Sequence, residues 1–325
     1  MKMRRKTFLA AALATALASP LIMAQDAYPT RVVKLVVPYA AGGSTDAIAR
    51  LFAQGLSGVL GQQVVVDNRP GANGLIGTES VARSPADGYT LLLGPIATNA
   101  IAGSLYPNLR YDPVKDFVAV TEVARSPLLL VVGPRVPVKT LTELQAYVKA
   151  NPGKINYASG GQGTASHIGA ALFAHRAGLA MQHVPYKGSG LALNDVMGGH
   201  ADLMFDSIAT SLQNVRGGKL KALGISTAAR SSIAPEIPTL AEMGLTGFEL
   251  VWWFGLFAPR GTPPDVVAKV NAASVNVLAR AETKAAFVAQ GLEPVGSSSS
   301  DFGKKVVHEA EVWGKIIKDA GIKAE

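Results

Sequence analysis

Cysteine is absent from all 325 residues. This absence excludes disulfides, thiol catalysis and a lipid-anchored cysteine. Among enzymatic patterns, H-E-x-x-H, G-x-S-x-G and G-x-x-x-x-G-K-[ST] are also missing, and the five histidines show no metal-ligand spacing. A secreted hydrolase or lyase would need a nucleophile–base pair converging in a cleft, and no motif supports one. We therefore predict a protein that is not an enzyme and that holds neither a metal nor a cofactor.

Aromatic residues are few, at 6% of the chain, and they do not interleave with clustered basic residues. The formal net charge of +8 depends strongly on four basic residues at the start, Lys2, Arg4, Arg5 and Lys6. Without these, 27 basic residues face 23 acidic ones, and both kinds are scattered. A nucleic-acid-binding surface needs a concentrated basic patch. The sequence therefore predicts no nucleic-acid partner.

The first 24 residues have the organisation of a secretory signal peptide. A basic start is followed by an apolar run from Phe8 to Ala18 and by the small residue Ala24. The run is too short to span a membrane, and no later segment is long and apolar enough. We expect a mature chain that begins near Gln25, is exported to a bacterial periplasm, and is a monomer not embedded in the membrane.

A glycine-rich turn between a strand and a helix organises the first half of the chain. Apolar residues 32–37 predict a buried strand, Gly42 and Gly43 a sharp turn, and apolar residues at helical spacing from Ile48 a helix. Ser44 is the predicted N-cap, and Asp46 lies in the first turn, where its charge complements the helix dipole. A helix N-terminus presented in this way is an anion site.

The same arrangement recurs at residues 155–164. A short strand is followed by the glycines at 160, 161 and 163, by the hydroxyl cap Thr164, and by a helix around Ile168. Either loop alone is equally well explained as an ordinary tight turn. Because the two loops are alike, we interpret them as the two sides of one cleft that holds a small anion.

Strands and helices alternate along the chain, which predicts α/β architecture with mainly parallel sheets flanked by helices. About 300 mature residues suit two domains. Extended runs around Ser126 and Val251 are the predicted crossovers between them. Domain 1 then comprises residues 25–126 and 251–325, domain 2 comprises residues 127–250, and the ligand cleft lies between the two.

Several single residues have alternative explanations. Asp206 ends a strand, where it could bind a ligand amine or hydroxyl, or cap the next helix. His167 at a helix start is either a ligand contact or, more in keeping with histidine usage, a packing or capping residue. Tyr186 also ends a strand and is equally explained by a solvated turn. Trp252 and Trp253 alternate on one strand, so at most one faces the cleft.

A combination of short motifs runs along the whole mature chain. These motifs are Tyr28-Pro29-Thr30-Arg31, Gly42-Gly43-Ser44-Thr45-Asp46, Val65-Val66-Asp67-Asn68-Arg69-Pro70-Gly71-Ala72, Pro85-Ala86-Asp87-Gly88-Tyr89, Ser159 to His167, Val184-Pro185-Tyr186-Lys187-Gly188 and Gly255 to Pro263. In this combination the chain resembles the tripartite tricarboxylate transporter receptor family, also called the Bug family, of periplasmic solute-binding proteins.

The resemblance implies a two-domain periplasmic binding protein, a Venus flytrap of type II-like topology, that captures a small carboxylated metabolite by closing. Transporter membrane subunits are its implied partners, and a sensor kinase reading the ligand-bound surface is the alternative. In the family, loops matching the two glycine turns grip one carboxylate through backbone groups and ordered waters, and Ala41 stands where proline is common. The candidate ligand-binding residues are Tyr39, Ala41, Gly42, Gly43, Ser44, Thr45, Asp46, Ser159, Gly161, Gly163, Thr164, His167, Tyr186 and Asp206.

Overall fold

A computed structural model describes residues 28–319 and 321–322. The predicted signal peptide, residues 1–24, lies outside the described residues. The strands are β1 (Val33–Val37), β2 (Val64–Asn68), β3 (Thr90–Pro95), β4 (Phe117–Val132), β5 (Asn156–Ser159), β6 (Gln182–Pro185), β7 (Leu203–Ser207), β8 (Lys221–Ile225), β9 (Val251–Pro259) and β10 (Glu293–Pro294). The helices are α1 (Ser44–Leu60), α2 (Leu75–Ala82), α3 (Ala102–Leu105), α4 (Leu141–Ala150), α5 (Ala165–Ala177), α6 (Ser189–Gly198), α7 (Ile208–Arg216), α8 (Pro264–Ala279), α9 (Ala281–Ala289) and α10 (Ser299–Asp319).

Two sheets share the long strand β4. The first sheet has the order β2-β1-β3-β9-β4, with the short β10 also paired to β4. The second has the order β6-β5-β7-β4-β8. In the first sheet β9 and β10 run against the other strands, and in the second only β4 does. The prediction of mainly parallel sheets flanked by helices is therefore confirmed.

The strand β4 passes from one sheet into the other without a break. The segment around Ser126, predicted as a crossover between domains, lies inside one strand of 16 residues. Ser126 pairs with Trp252 in the first sheet, and Leu128 pairs with Ser207 in the second. Pro127 lies where β4 changes from one partner strand to the other. At this point its missing N–H costs the hydrogen-bond ladder of either sheet the least. The proposed domain boundaries at 126/127 and 250/251 remain a prediction.

Helix α1 is placed by its apolar face, as its sequence predicts. Ile48, Phe52 and Leu56 are completely buried against the first sheet and its covering helices. Gly55 lets α8 approach closely, because a Cβ there would lie 2.4 Å from a methyl carbon of Val277. This packing fixes the N-terminus of α1 at the carboxyl edge of β1.

The segment after β3 is helical. β3 extends through Pro95, and a turn of π-helix covers Ala97–Ile101. The tight backbone is supported by a hydrogen bond from the Tyr111 hydroxyl to the Thr98 carbonyl at 2.8 Å. Within the described residues, no helix is long and apolar enough to cross a membrane.

Candidate functional site

A cavity of about 440 Å³ lies where the two sheets meet. It is bounded by the N-termini of α1, α5 and α7, by the two crossing strands β4 and β9, and by the segment after α9. Its lining residues are Tyr39, Gly43, Thr45, Ile48, Asn73, Pro95, Ala97, Ser126, Leu128, Gln162, Gly163, Thr164, Ala165, Ser166, Ser189, Phe205, Asp206, Ser207, Ala209, Thr210, Trp252, Phe254, Gln290 and Leu292.

Another groove, of about 590 Å³, runs along residues 100–116. This groove is larger and more open than the cavity between the sheets, and it contains no residue of either glycine loop. The cavity between the sheets is therefore the candidate ligand site, since ligands of open α/β sheets collect at the carboxyl ends of the strands.

The first glycine loop is closed by Asp46. Gly42 has a left-handed φ of 85° and donates its N–H to Oδ2 of Asp46 at 2.9 Å. The N-cap position belongs to Gly43, whose carbonyl accepts the N–H of Ala47 at 3.0 Å, and α1 begins at Ser44. The prediction of Ser44 as the N-cap is therefore wrong by one residue, because Gly43 already carries the extended φ and ψ of a cap.

Asp46 is buried and holds three donors at once. Besides Gly42, the Asn68 amide donates to Oδ1 at 2.9 Å and the Arg50 guanidinium donates to Oδ2 at 2.9 Å. The hydrogen bond from Arg50 is the main reason that the pKa of Asp46 falls to about 2. Asn68 also reaches the Tyr39 carbonyl at 3.2 Å, which ties the start of the loop to β2. Asp46 therefore supports the loop and does not itself line the cavity.

The second glycine loop is closed in the same way by His167. Gly163 has a left-handed φ of 72° and donates its N–H to Nδ1 of His167 at 3.1 Å. Thr164 occupies the N-cap, as predicted, yet its hydroxyl makes no cap bond and donates to the Gly161 carbonyl at 2.7 Å. In both loops the side chain four residues after a left-handed glycine accepts that glycine's N–H.

His167 is neutral at physiological pH. Its ring stacks on that of His183, with centroids 4.3 Å apart, and His183 stacks in turn on Tyr157 at 4.9 Å. Burial lowers the pKa of His167 to about 4, with a smaller contribution from His183. A neutral ring leaves Nδ1 able to accept the Gly163 N–H. The packing and loop-supporting interpretation of His167 is therefore the one the geometry favours.

Most glycine N–H groups of the two loops already have partners. The N–H of Gly42 is taken by Asp46, that of Gly161 by the Ser159 hydroxyl at 3.1 Å, and that of Gly163 by His167. These three glycine amides are therefore already hydrogen-bonded within their own loops. The backbone donors left at the cavity belong to the first turns of α1 and α5, whose N–H groups have no acceptor within their helix.

Asp206 lies on the cavity wall at the end of β7, with 4% of its surface exposed. It does not cap α7, because Ser207 occupies the N-cap and accepts the Ala209 N–H at 3.3 Å. The hydroxyls of Thr210 and Ser211 both donate to Oδ2. Burial raises the pKa of Asp206, while these hydroxyls and the Ser207 N–H act in the opposite direction.

The contacts of Tyr186 and of the two tryptophans show which of these side chains face the cavity. The Tyr186 hydroxyl donates to Oδ2 of Asp195 at 2.6 Å, and the residue is not part of the cavity lining. Trp252 lines the cavity, whereas Trp253 is buried on the other face and donates Nε1–H to Glu309 at 2.8 Å. One tryptophan of the pair, Trp252, therefore faces the cavity, which agrees with the expectation that at most one does.

The structure brings only part of the predicted site together. The predicted residues that line the cavity are Tyr39, Gly43, Thr45, Gly163, Thr164 and Asp206. The predicted residues outside the lining are Ala41, Gly42, Asp46, Ser159, Gly161, His167 and Tyr186. Sequence reasoning missed Gln162, although it lies in the second glycine turn, and it had no signal for Asn73, Gln290 and Leu292. Among the described residues, no group of three or more potential ligands could hold a metal ion.

The fold and the cavity are those of a periplasmic binding protein. Residues 48–322 match the model of the "Tripartite tricarboxylate transporter family receptor", and the chain belongs to this family. It is 38% identical to the protein BugT of Bordetella pertussis over 299 residues, which cover 92% of each chain. The structure of R. palustris Rpa4515 with adipate superposes with a TM-score of 0.81, 37% identity, and coverage of 91% of this chain and 99% of that one. MatC from Rhodopseudomonas palustris with bound malate gives a TM-score of 0.77, 35% identity, and coverage of 89% and 100%.

Proposed function

We propose that this protein is a periplasmic receptor that captures a small carboxylated metabolite between its two sheets for uptake by a tripartite tricarboxylate-type transporter. One observation carries the proposal: the N-termini of α1 and α5 end on the same cavity, with Thr45 and Ala165 in its lining. Helix N-termini offer free N–H groups and positive potential to an anion. Two structurally similar relatives are described with adipate and malate, which are both carboxylates.

Backbone groups, not cations, provide the attraction for the carboxylate. Among the described residues of the lining there is no Lys, Arg or His. The first turn of α5 contains no acidic residue, and the acid in the first turn of α1, Asp46, is paired with Arg50. Charge-assisted hydrogen bonds contribute about 1.5–3 kcal/mol each. Four of them approach the roughly 8 kcal/mol of a micromolar complex even after ordering costs.

Ligand capture involves closure of two domains about the crossing strands. The crossing segments are joined through Ser226, whose hydroxyl donates to the Leu250 carbonyl at 2.6 Å and accepts the Leu128 N–H at 3.1 Å. Outside these segments, the two halves also meet where Asn73 reaches the Gln162 carbonyl at 3.5 Å and where the Ser231 hydroxyl donates to Oε1 of Glu293 at 2.6 Å. The two crossing strands that link the halves support a hinge.

Thermal melting of the purified protein against a library of carboxylates, with turnover of every hit measured alongside, tests this function. We expect at least one carboxylate to raise the melting temperature without being consumed. Mass spectrometry of whatever co-purifies with the native protein identifies the natural ligand. A chain that melts unchanged with every carboxylate, or that converts one to product, contradicts the receptor assignment.

Two charge variants test the backbone mechanism. Arg69→Ala and Lys187→Ala remove cations that lie outside the lining, so we expect binding close to that of the wild type. Loss of binding in either variant contradicts the mechanism. Uptake of the labelled ligand by a deletion strain separates transport, in which uptake is lost, from a sensor role, in which only the transcriptional response is lost.

A further inference from the structure

The two oxygens of the Asp206 carboxyl group differ in their hydrogen-bond donors. Both hydroxyl donors, from Thr210 and Ser211, bind the same oxygen, Oδ2. No described side chain donates to Oδ1, and the Ser207 N–H is the one backbone donor that acts on the carboxyl group. A carboxylate oxygen accepts two hydrogen bonds, so Oδ1 keeps capacity for another donor. Because Asp206 belongs to the cavity lining, that donor can come from a ligand.

One other polar group of the cavity also lacks a hydrogen-bond donor. Oε1 of Gln162, which also lines the cavity, is buried and has no hydrogen-bond partner among the described residues. Each buried acceptor without a donor costs free energy that a ligand's O–H or N–H recovers on binding. The lining therefore has donors at the helix N-termini and unfilled acceptors elsewhere.

The charge of the wall disfavours a second carboxylate. Asp206 is the one carboxyl or cationic side chain among the described lining residues. In a cavity of about 440 Å³ no other charge compensates it, and two carboxylates placed close together in a partly dry site repel strongly. The remaining wall is largely apolar and includes Trp252, Phe254 and Leu292.

We propose, on the basis of the function assigned above, that the ligand is a monocarboxylate with an apolar body whose other polar group is a hydrogen-bond donor, a hydroxyl or an ammonium, bound by Asp206. The carboxylate lies at the N-termini of α1 and α5, the apolar body lies against the aromatic wall, and the donor faces Oδ1. Dicarboxylates such as adipate are poor ligands, although two relatives have been solved with dicarboxylates, adipate and malate.

Matched ligands test this assignment on the wild-type chain. Adipate, 6-hydroxyhexanoate and 6-aminohexanoate share one carbon chain and differ only at the far end, and the corresponding four- and five-carbon sets cover shorter spans. Calorimetric titration should show a donor-ended ligand binding at least tenfold more tightly than the dicarboxylate of the same length. Equal or tighter binding of the dicarboxylate at every length overturns the inference and leaves the receptor function intact. If no member of any set binds at millimolar concentration, the inference fails together with the carboxylate-receptor function.

Asp206→Asn gives a second readout. The amide keeps the shape and an acceptor for Thr210 or Ser211 but loses the charge, so the preference for the donor-ended ligand should fall at least tenfold. The matched control is Asp195→Asn, which removes an acid bonded to Tyr186 outside the lining and should leave the preference unchanged. An unchanged preference in Asp206→Asn overturns the inference. If that variant does not fold, the wild-type comparison of the matched ligands still decides it.

Discussion

Gly163 donates its backbone N–H to Nδ1 of His167 at 3.1 Å, and Gly42 makes the equivalent bond to Asp46 at 2.9 Å. In each loop the glycine immediately precedes the N-cap residue and the acceptor is the third residue of the helix. The two halves of the molecule thus close their glycine loops by the same geometry, with an ionised acid in one and a neutral imidazole in the other. Both acceptors shape a cavity wall that they do not touch.

Removing the Asp46 carboxylate should loosen the first loop. Asp46→Ala leaves the Gly42 N–H, the Asn68 amide and Arg50 without their acceptor, and a buried unsatisfied donor costs about 1–3 kcal/mol. We expect the free energy of unfolding to fall by about 3 kcal/mol and ligand affinity to fall at least tenfold. Urea denaturation and calorimetric titration measure the two effects.

The control for that variant is Asp67→Ala. Asp67 forms a half-exposed pair with Arg69 at 2.9 Å, and such pairs contribute about 0.2–1 kcal/mol. Stability and affinity should both stay close to those of the wild type. Equal losses in the two variants would show that Asp46 has no special role in the loop.

A side chain at position 163 should reduce binding. In Gly163→Ala the left-handed φ costs about 1–2 kcal/mol, and the new Cβ lies 3.1 Å from a methyl carbon of Leu105. Because Gly163 lines the cavity, we expect at least a tenfold loss of affinity. Gly178→Ala is the matched control, since φ there is 61° with no atom within 4 Å, at the far end of α5. It should lose similar stability but no affinity; a shared loss of affinity would refute the local explanation.

The His167 side chain should make stability depend on pH. Burial lowers the pKa of His167 to about 4 from the usual 6.5, so between these values the unfolded chain binds the proton more strongly. The stabilisation is therefore fully present above pH 6.5 and is lost as the pH falls toward 4. Urea denaturation across this range should show a smaller loss of stability in His167→Gln than in the wild type. The exposed His200→Gln is the control, and parallel curves for His167→Gln and the wild type would contradict the expectation.

Ligand binding should be visible in the fluorescence of Trp252, the tryptophan of the cavity lining. The other described tryptophans, Trp253 and Trp313, are buried elsewhere. Saturating ligand should change the emission of the wild type and of Trp313→Phe, whereas the change should be largely lost in Trp252→Phe.

X-ray scattering of the same samples should show a smaller radius of gyration with ligand. An unchanged scattering profile with tightly bound ligand argues against domain closure.

Export should remove the first residues of the chain. The basic start, the apolar run and Ala24 predict cleavage close to Gln25, which would place the mature protein in the osmotic-shock fraction. N-terminal sequencing of that fraction checks the position. Full-length protein in the membrane pellet would show that the segment is retained.

Local patterns determined much of what the structure contains. Apolar runs next to glycine pairs gave the strand–turn–helix units, because strand burial, helix periodicity and left-handed φ are properties of a few neighbouring residues. The long helices of the C-terminal third follow from the same periodicity. Family membership was also readable, since its motifs are short and contiguous.

The tertiary structure alone decided which groups face the ligand. Whether the N–H of Gly163 is free depends on the ring of His167 in α5. That ring is oriented by stacking against His183 of strand β6. Asp206 and Leu292 line the same cavity, although Asp206 belongs to β7 and Leu292 lies in the segment after α9. Sequence patterns report local backbone preference, whereas these relationships arise from packing between residues far apart in the chain, and that packing decides which polar groups remain unpaired for a ligand.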